Sequence, residues 1–283
     1  KDVMAKAGEL GFCSLYTPEE AGGMGLSRLD ASIIFEQLAT GCTATTAMLT
    51  IHNMATWMIA SFADEALRDE FAPAMAMGEK LGSYCLTEPG AGSDAGSLRT
   101  SARRDGDDFV LNGSKMFISG AGSTDVLVVM ARTGTQEDGP KGISAFVVPA
   151  DAEGIHYGKA EEKMGWNSQP TRLITFEDVR IPARYMIGNK GDGFKIAMKG
   201  LDGGRINIAT CSLGAAQAAI NDTQRYMQER EQFGKPLASF QALQFKLADM
   251  VTNLVASRQM GKIPKQPFTA PWQNVLLRTP VLT

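Results

Sequence analysis

Residues 84–97 read YCLTEPGAGSDAGS, from Tyr84 to Ser97. A short apolar run stops at Thr87-Glu88-Pro89, after which Gly90, Gly92 and Gly96 alternate with small residues and the hydroxyls of Ser93 and Ser97. Proline halts the strand, and glycine lets the backbone reach positive φ and approach a flat ligand closely. The stretch reads as a loop rich in free N–H groups and hydroxyls, suited to a cofactor with many acceptors. Taken alone, the same composition describes an ordinary surface turn, so the flanking sequence has to decide.

Downstream the pattern is β. Leu98 to Arg104 alternates, and Asp105-Gly106-Asp107-Asp108 turns the chain. Phe109-Val110-Leu111 is expected to be a strand, Asn112-Gly113 a hairpin turn and Lys115 to Ser119 the return strand. Val126 to Ala131, Ile143 to Pro149 and Leu173 to Phe176 are further β runs, the last closing at Ile181-Pro182. No helix-length pattern interrupts them, so residues 81–185 are expected to form a compact antiparallel β-domain. That context disposes of one formal match. Gly90-x-Gly92-x-x-Ala95 fits the dinucleotide fingerprint, but the fingerprint needs a strand before it and a helix after it. Here Pro89 precedes the first glycine and β-hairpins follow.

Upstream, residues 1–80 are expected to be helical. Val3, Met4, Ala7 and Leu10 sit at helical spacing, and Gly11 closes that piece. Ser27 reads as the N-cap of a helix from Leu29 to Ala39 with Ile33, Ile34 and Leu38 on one face. Thr43 to Ala60 reads as a buried helix, and Asp64 to Phe71 as a short charged one ended by Pro73. His52 has no partner nearby in sequence and is expected to be a satisfied core or loop histidine rather than a ligand. From Phe194 to Phe233 the helical pattern returns, with Gly203-Gly204 as a thin spot. Gly234-Lys235-Pro236 breaks it, and Ser239 is the expected cap of a second helix with Leu243, Leu247, Met250 and Leu254 on its buried face. Two long helices cannot bury both faces alone, so residues 186–260 are expected to need further helices or a partner subunit.

The bulk properties narrow the function classes. In 283 residues the net charge is −3, with hydrophobic content 44% and charged content 21%. This gives no electrostatic reason to expect nucleic acid or an acidic membrane as partner. No apolar run is long enough to span a bilayer. Cys13, Cys42, Cys85 and Cys211 form no CxxC, and with only His52 and His156 no metal-ligand cluster can be written. A reduced, intracellular setting is the default expectation. The chain begins at Lys1, already inside an amphipathic pattern, and reads as a fragment.

The order helical segment, YCLTEPGAGSD-opened β segment, helical segment resembles the flavin-dependent acyl-CoA dehydrogenases. The resemblance runs over roughly residues 3–260. It includes KMFISGAG at Lys115 to Gly122, WNSQPTR at Trp166 to Arg172, FEDVRIP at Phe176 to Pro182, LDGGR at Leu201 to Arg205 and REQFGKPLASFQ at Arg230 to Gln241. WNSQPTR and GGRINIA (Gly203 to Ala209) are most like the branched-chain branch of valine breakdown. The resemblance implies an α+β architecture with a helical N-terminal domain, a central antiparallel β-barrel-like domain and a helical-bundle C-terminal domain. It implies FAD as cofactor, a short branched acyl-CoA as substrate and electron-transferring flavoprotein as acceptor. It further implies a homotetramer in the mitochondrial matrix.

Site residues follow from the same resemblance. Tyr84, Leu86, Thr87, Gly92, Ser93, Phe117, Ile118 and Ser119 match positions that wall the flavin and reach its polar edge. Arg230, Phe233, Phe240 and Gln241 match positions holding the FAD pyrophosphate and adenosine, partly across a subunit interface; a planar guanidinium suits a diphosphate. Ser93, Asp202, Gly203, Gly204 and Arg205 match acyl-CoA contacts, although isobutyryl-type sequences usually carry Asn where Asp202 stands. Glu88, the one carboxylate near the flavin loop, reads as structural.

After Met260 the resemblance stops. Residues 261–283 carry Pro264, Pro267, Pro271 and Pro280, a spacing that forbids a continuing helix, and are expected to be an out-of-family tail. After Glu231 the only acid is Asp249. The family's glutamate base belongs to a segment expected to be missing, and its minority location is occupied by Gly204. No catalytic residue is therefore assigned. The expected lineage is an acyl-CoA dehydrogenase that is inactive in this form. The alternatives are a non-catalytic remnant acting by binding or assembly, and a relative acting on straight short-chain or 2-methylbutyryl-CoA.

Overall fold

A computed structural model describes residues 2–262. All but the first two residues of the expected tail lie outside that range. The chain divides into two units, Lys1–Arg225 and Tyr226–Thr283.

The first unit opens with helices α1 (Asp2–Glu9), α2 (Arg28–Gly41), α3 (Thr43–Phe62) and α4 (Glu65–Ala76). Ser27 caps α2 as its sequence predicts. Its side chain accepts from Asp30 N while the Asp30 carboxylate accepts from Ser27 N, a reciprocal capping box. The buried face of α2 is Ala31, Phe35 and Ala39, with Ile34 and Leu38 half-buried and Ile33 exposed. The buried face is thus rotated from the predicted stripe to one centred on Phe35 and flanked by Ala31 and Ala39. Pro73 does not end α4. The helix runs on to Ala76, because burial of Met75 and Ala76 draws its last turn onto the core and Met77 N still donates to Pro73 O.

The middle of the unit is one eight-stranded sheet. Its strands are β1 (Gly82–Cys85), β2 (Ser101–Asp105), β3 (Asp108–Ser119), β4 (Val126–Arg132), β5 (Ile143–Pro149), β6 (Ile155–Ala160), β7 (Thr171–Pro182) and β8 (Met186–Ile187). The order is β6-β7-β3-β2-β4-β5-β8, with β1 beside β4. The expected purely antiparallel sheet is corrected to a mixed one. β1 pairs parallel with β4 from Gly82↔Val126 to Cys85↔Val129, and β2 meets β4 parallel at Ser101↔Arg132. The long excursion through the glycine-rich loop and the β2–β3 hairpin returns the chain in the same direction, which a tight hairpin cannot do. The sheet curls enough for Phe109 of β3 and Phe146 of β5 to make a T-shaped contact at 5.0 Å. β6 and β8 end the strand order without pairing to each other, so the barrel-like curl does not close.

Asn112-Gly113 also needs correction. It is not a turn; β3 runs straight through it with a register shift between Leu111 and Gly113. Asn112 Nδ2 donates to Asp178 Oδ1, and Asp178 N donates to Asn112 Oδ1. Gly113 has φ 141°, and a Cβ there would stand 2.7 Å from Thr100. The pair makes a bulge that bends the strand.

β4 reads VLVVMAR because both of its faces are covered. Val126, Val128 and Met130 face a core shared with α3, α4 and the start of α5 (Gly193–Glu229), whereas Leu127, Val129 and Ala131 face the core enclosed by β3, β5 and β7. His52 joins helix to sheet. Its Nε2–H donates to Met75 O at 2.9 Å and its Nδ1 accepts from Gly82 N at 3.0 Å. Burial pulls its pKa down to about 4, so the ring is neutral and both nitrogens are satisfied, as expected of a core histidine.

In the second unit, β9 (Glu231–Gln232) and β10 (Lys235–Pro236) form a small antiparallel hairpin, and α6 spans Gln241–Lys262. The expected helix through Phe233 is therefore interrupted at Arg230. Phe233 takes φ 54° and Gly234 φ 72°, a two-residue left-handed turn suited to a hairpin. Ser239 ends a 3-10 turn rather than capping α6, whose first turn is closed by Leu243 N and Gln244 N donating to Phe240 O. Leu243 and Leu247 are half-buried, Leu254 is buried and Met250 is exposed.

Candidate functional site

The glycine-rich loop opens into a cavity of about 580 Å³ within the first unit, a volume in the range of cofactor and substrate sites. Tyr84, Leu86, Thr87, Gly92, Ser93, Phe117, Ile118, Ser119 and Arg205 all line it. These residues are scattered over more than a hundred positions of sequence. The cavity also takes Ile51 and Met54 from α3, Asp94 to Gly96 from the loop, Pro140, and Phe194, Met198 and Leu201 from α5.

Each wall has a local cause. β1 delivers Tyr84 and runs out at Thr87, and Glu88 and Ala91 then exchange backbone hydrogen bonds at 3.1 Å to form a tight turn around Pro89-Gly90. A short 3-10 turn, Ala95–Ser97, follows instead of a helix, which bears out the rejection of a dinucleotide fold. Opposite, β3 loses register between Lys115 and Ile118. At that break Phe117 takes φ 59° and remains 56% exposed. A bulky residue with positive φ is strained, and the strain turns its ring out of the strand into the cavity. Ser83 Oγ donates to Ser119 O at 2.7 Å, fixing the end of β3 against β1. Pro170, in the WNSQPTR stretch, supports the same end by accepting from Gly120 N at 2.8 Å.

The polar groups suit a ligand with acceptors. The Tyr84 hydroxyl is buried and has no protein partner. Burial, reinforced by Cys85, pushes its pKa well above the ordinary tyrosine value, so it remains a neutral O–H able to donate. Gly90 and Gly92 have open space where a Cβ would stand. An orphaned buried donor, hydroxyl-bearing walls and an exposed aromatic ring together fit a flat, polar-edged group such as a flavin ring.

Glu88 is structural, as its sequence position suggests. Its Oε1 accepts from Lys115 Nζ at 2.8 Å and from Thr100 N at 2.9 Å, and its Oε2 accepts from Arg99 N at 2.6 Å. Burial works against the carboxylate, but Lys115 and the backbone donors overcome it and hold its pKa below the usual range. Arg132 was not legible as a site residue. From the end of β4 it donates to Leu98 O, Gly96 O, Thr135 O and Gly139 O, tying the loop's far end to the segment that carries Pro140.

The remaining predicted residues lie elsewhere. Asp202, Gly203 and Gly204 sit on α5 between the lining residues Leu201 and Arg205 but do not themselves line the cavity. Gly203 faces Arg28, whose guanidinium lies over the Tyr16 ring at 3.6 Å and the Trp57 ring at 4.5 Å. A Cβ on Gly203 would come within 2.2 Å of Arg28 Nη1. Arg230, Phe233, Phe240 and Gln241 belong to the second unit. There Phe233 and Phe240 make a T-shaped contact at 6.2 Å, and Lys235 Nζ lies 4.5 Å over the Phe240 ring.

A helical segment, a curled mixed sheet and a second helical segment, with a cavity where sheet and helices meet, define the acyl-CoA dehydrogenase architecture. Profiles of the acyl-CoA dehydrogenase N-terminal, middle and C-terminal domains match residues 1–79, 83–179 and 191–262. The chain belongs to the acyl-CoA dehydrogenase family. It is 57% identical over 259 residues to the mitochondrial isobutyryl-CoA dehydrogenase of Bos taurus and 55% identical over 260 residues to that of Dictyostelium discoideum. In each case 92% of this chain is covered, and it spans 62% of the relative's length. The structure of butyryl-CoA dehydrogenase from Megasphaera elsdenii superposes with TM-score 0.88 at 39% identity, covering 93% of this chain and 70% of that one.

Proposed function

We propose that the cavity takes the isoalloxazine ring of FAD beside a short branched acyl-CoA, with isobutyryl-CoA as the substrate of the lineage. The single observation that carries this is the convergence of Tyr84, Thr87, Ser93, Phe117 and Ser119 on one cavity with an orphaned buried hydroxyl. When bound, FAD supplies a hydride acceptor for α,β-dehydrogenation. Leu86, Phe117 and Ile118 offer apolar walls to a planar ring. The Tyr84, Thr87, Ser93 and Ser119 hydroxyls suit its polar edge. Met54, Met198 and Leu201 give the acyl side an apolar lining, and Arg205 offers a cation to an anionic carrier. Arg230, Phe233, Phe240 and Gln241 are proposed to contact the pyrophosphate and adenosine in a homotetramer. Electron-transferring flavoprotein as acceptor and the mitochondrial matrix as location complete the reading, the latter supported by the mitochondrial relatives.

A second reading, binding without turnover by this 283-residue chain, is supported by the site's carboxylates. Among the described lining residues Asp94 is the only acid, and Glu88 is committed to Lys115 and two backbone N–H groups. One experiment separates the readings. The purified chain is loaded with FAD, and its visible spectrum is followed on adding isobutyryl-CoA. Bound flavin that bleaches supports the dehydrogenase and refutes the second reading. Bound flavin that does not bleach supports binding without turnover. Failure to hold FAD overturns both.

A further inference from the structure

The geometry points to the buried pair Glu88–Lys115 as the positioning device of this cavity, setting the glycine-rich wall against the Phe117 wall. The inference rests on the flavin reading above and concerns residues that do not line the cavity themselves. Lys115 is fully buried and Glu88 is 7% exposed. From one point behind the cavity they reach three separate pieces of its frame. Lys115 Nζ donates to Leu86 O at 3.1 Å, fixing the start of the loop. Glu88 accepts from Arg99 N and Thr100 N at 2.6 and 2.9 Å, fixing the end of the same loop. Lys115 is also the last residue of β3 in register with β7 before the break that displays Phe117. One residue further, Met116 N donates to Thr87 O at 2.8 Å, so both walls are joined within a single peptide of the pair.

A merely stabilising role predicts a different sequence choice. Replacing a buried ion pair by apolar residues of similar volume is often neutral or favourable for stability. What apolar residues cannot do is hold one backbone carbonyl and two backbone N–H groups in fixed directions. Loss of the pair should therefore loosen the wall spacing more than it weakens the fold. Phe117, held at positive φ by the neighbouring break, is the group most exposed to that loosening.

The test uses the full chain and FAD. The double variant Lys115→Met/Glu88→Gln removes both charges at similar shape and leaves no lone buried charge. Glu88→Asp keeps the charge but withdraws the carboxylate by one methylene from the Arg99 and Thr100 amides. Leu15→Ala, in a core cluster none of whose residues lines the cavity, is the matched control for lost stability. Thermal unfolding and the FAD dissociation constant are measured for each. The expected result is FAD affinity at least about tenfold weaker in Lys115→Met/Glu88→Gln and several-fold weaker in Glu88→Asp. Leu15→Ala should bind FAD as the unaltered chain does, despite an equal or larger fall in Tm. If the double variant does not fold, Glu88→Asp carries the test alone, because both charges remain. Unchanged affinity in a folded pair variant overturns the positioning role while leaving the flavin reading intact, as does affinity that only tracks Tm across all three chains. No FAD binding by the unaltered chain overturns the flavin reading and this inference with it.

Discussion

His52 should make this fold acid-sensitive in a way one substitution can isolate. The ring is neutral, with Nε2–H donating to Met75 O and Nδ1 accepting from Gly82 N. Protonating Nδ1 would set N–H against N–H at the entry to β1 and place a charge in a fully buried site. The folded pKa is accordingly pulled from 6.5 down to about 4 by burial. Between those values the unfolded chain holds more protons than the folded one, so stability falls as pH is lowered. The contribution is complete above pH 6.5 and lost progressively toward pH 4. At about 1.4 kcal/mol per pH unit, that fall corresponds to about 3 kcal/mol. His52→Gln can keep a donor toward Met75 and an acceptor toward Gly82 without titrating. At pH 7 the substitution should cost about 1–2 kcal/mol from imperfect hydrogen bonds. Urea unfolding of both chains from pH 7.5 to 4 should show the two stabilities converging and then crossing. Parallel loss of stability in the two chains across that window would refute the reasoning, because carboxylate titration, shared by both, would then explain all of it.

Two further perturbations probe the walls and their supports. Gly203→Ala places a Cβ 2.2 Å from Arg28 Nη1, and the guanidinium cannot retreat easily from between Tyr16 and Trp57. A destabilisation of about 1–3 kcal/mol is expected from such overpacking, read by thermal unfolding. Gly204→Ala, whose Cβ would stand 3.2 Å from Met54 Sδ, should cost less. Phe117→Gly relieves a left-handed conformation that costs a side-chain-bearing residue roughly 1–2 kcal/mol. It also adds about 0.4–1 kcal/mol of unfolded-chain entropy, so its Tm should hold or rise slightly while FAD binding weakens. A loss near the roughly 3–5 kcal/mol of a buried Phe→Ala change would show instead that Phe117 is ordinary core.

How much of this was legible in the sequence depends on how far apart the deciding contacts lie. The glycine-rich stretch was readable as a loop because Pro89 ends the strand locally, although Gly90, Gly92 and Gly96 do not take the positive φ that glycine permits. The Ser27 cap was readable because its partner, Asp30, is three residues away. Asn112-Gly113 was misread because the local signal for a hairpin turn and for a bulge is the same. Asp178, 66 residues distant, decides between them. Pro73 was misread because its local cost is outweighed by burial of the residues beyond it. The parallel pairing of β1 with β4 leaves no mark on either strand, since both read as apolar runs whichever way they pair.

The same rule explains which parts of the site were found. The residues that line the cavity lie in recognisable motifs, so resemblance located Tyr84, Thr87, Ser93, Phe117 and Arg205, and the cavity brings them together. The residues that hold those motifs in place act across distance. Glu88 meets Lys115 27 positions later, and Arg132 reaches Gly96 36 positions earlier. Met54 and Met198 enter the cavity only because α3 and α5 pack on one face of β4. Gly203 is fixed as glycine by Arg28, far upstream, which occupies the space a side chain would need. In this chain a motif marks where the cavity-lining groups are, while buried charges and missing side chains determine how those groups are held.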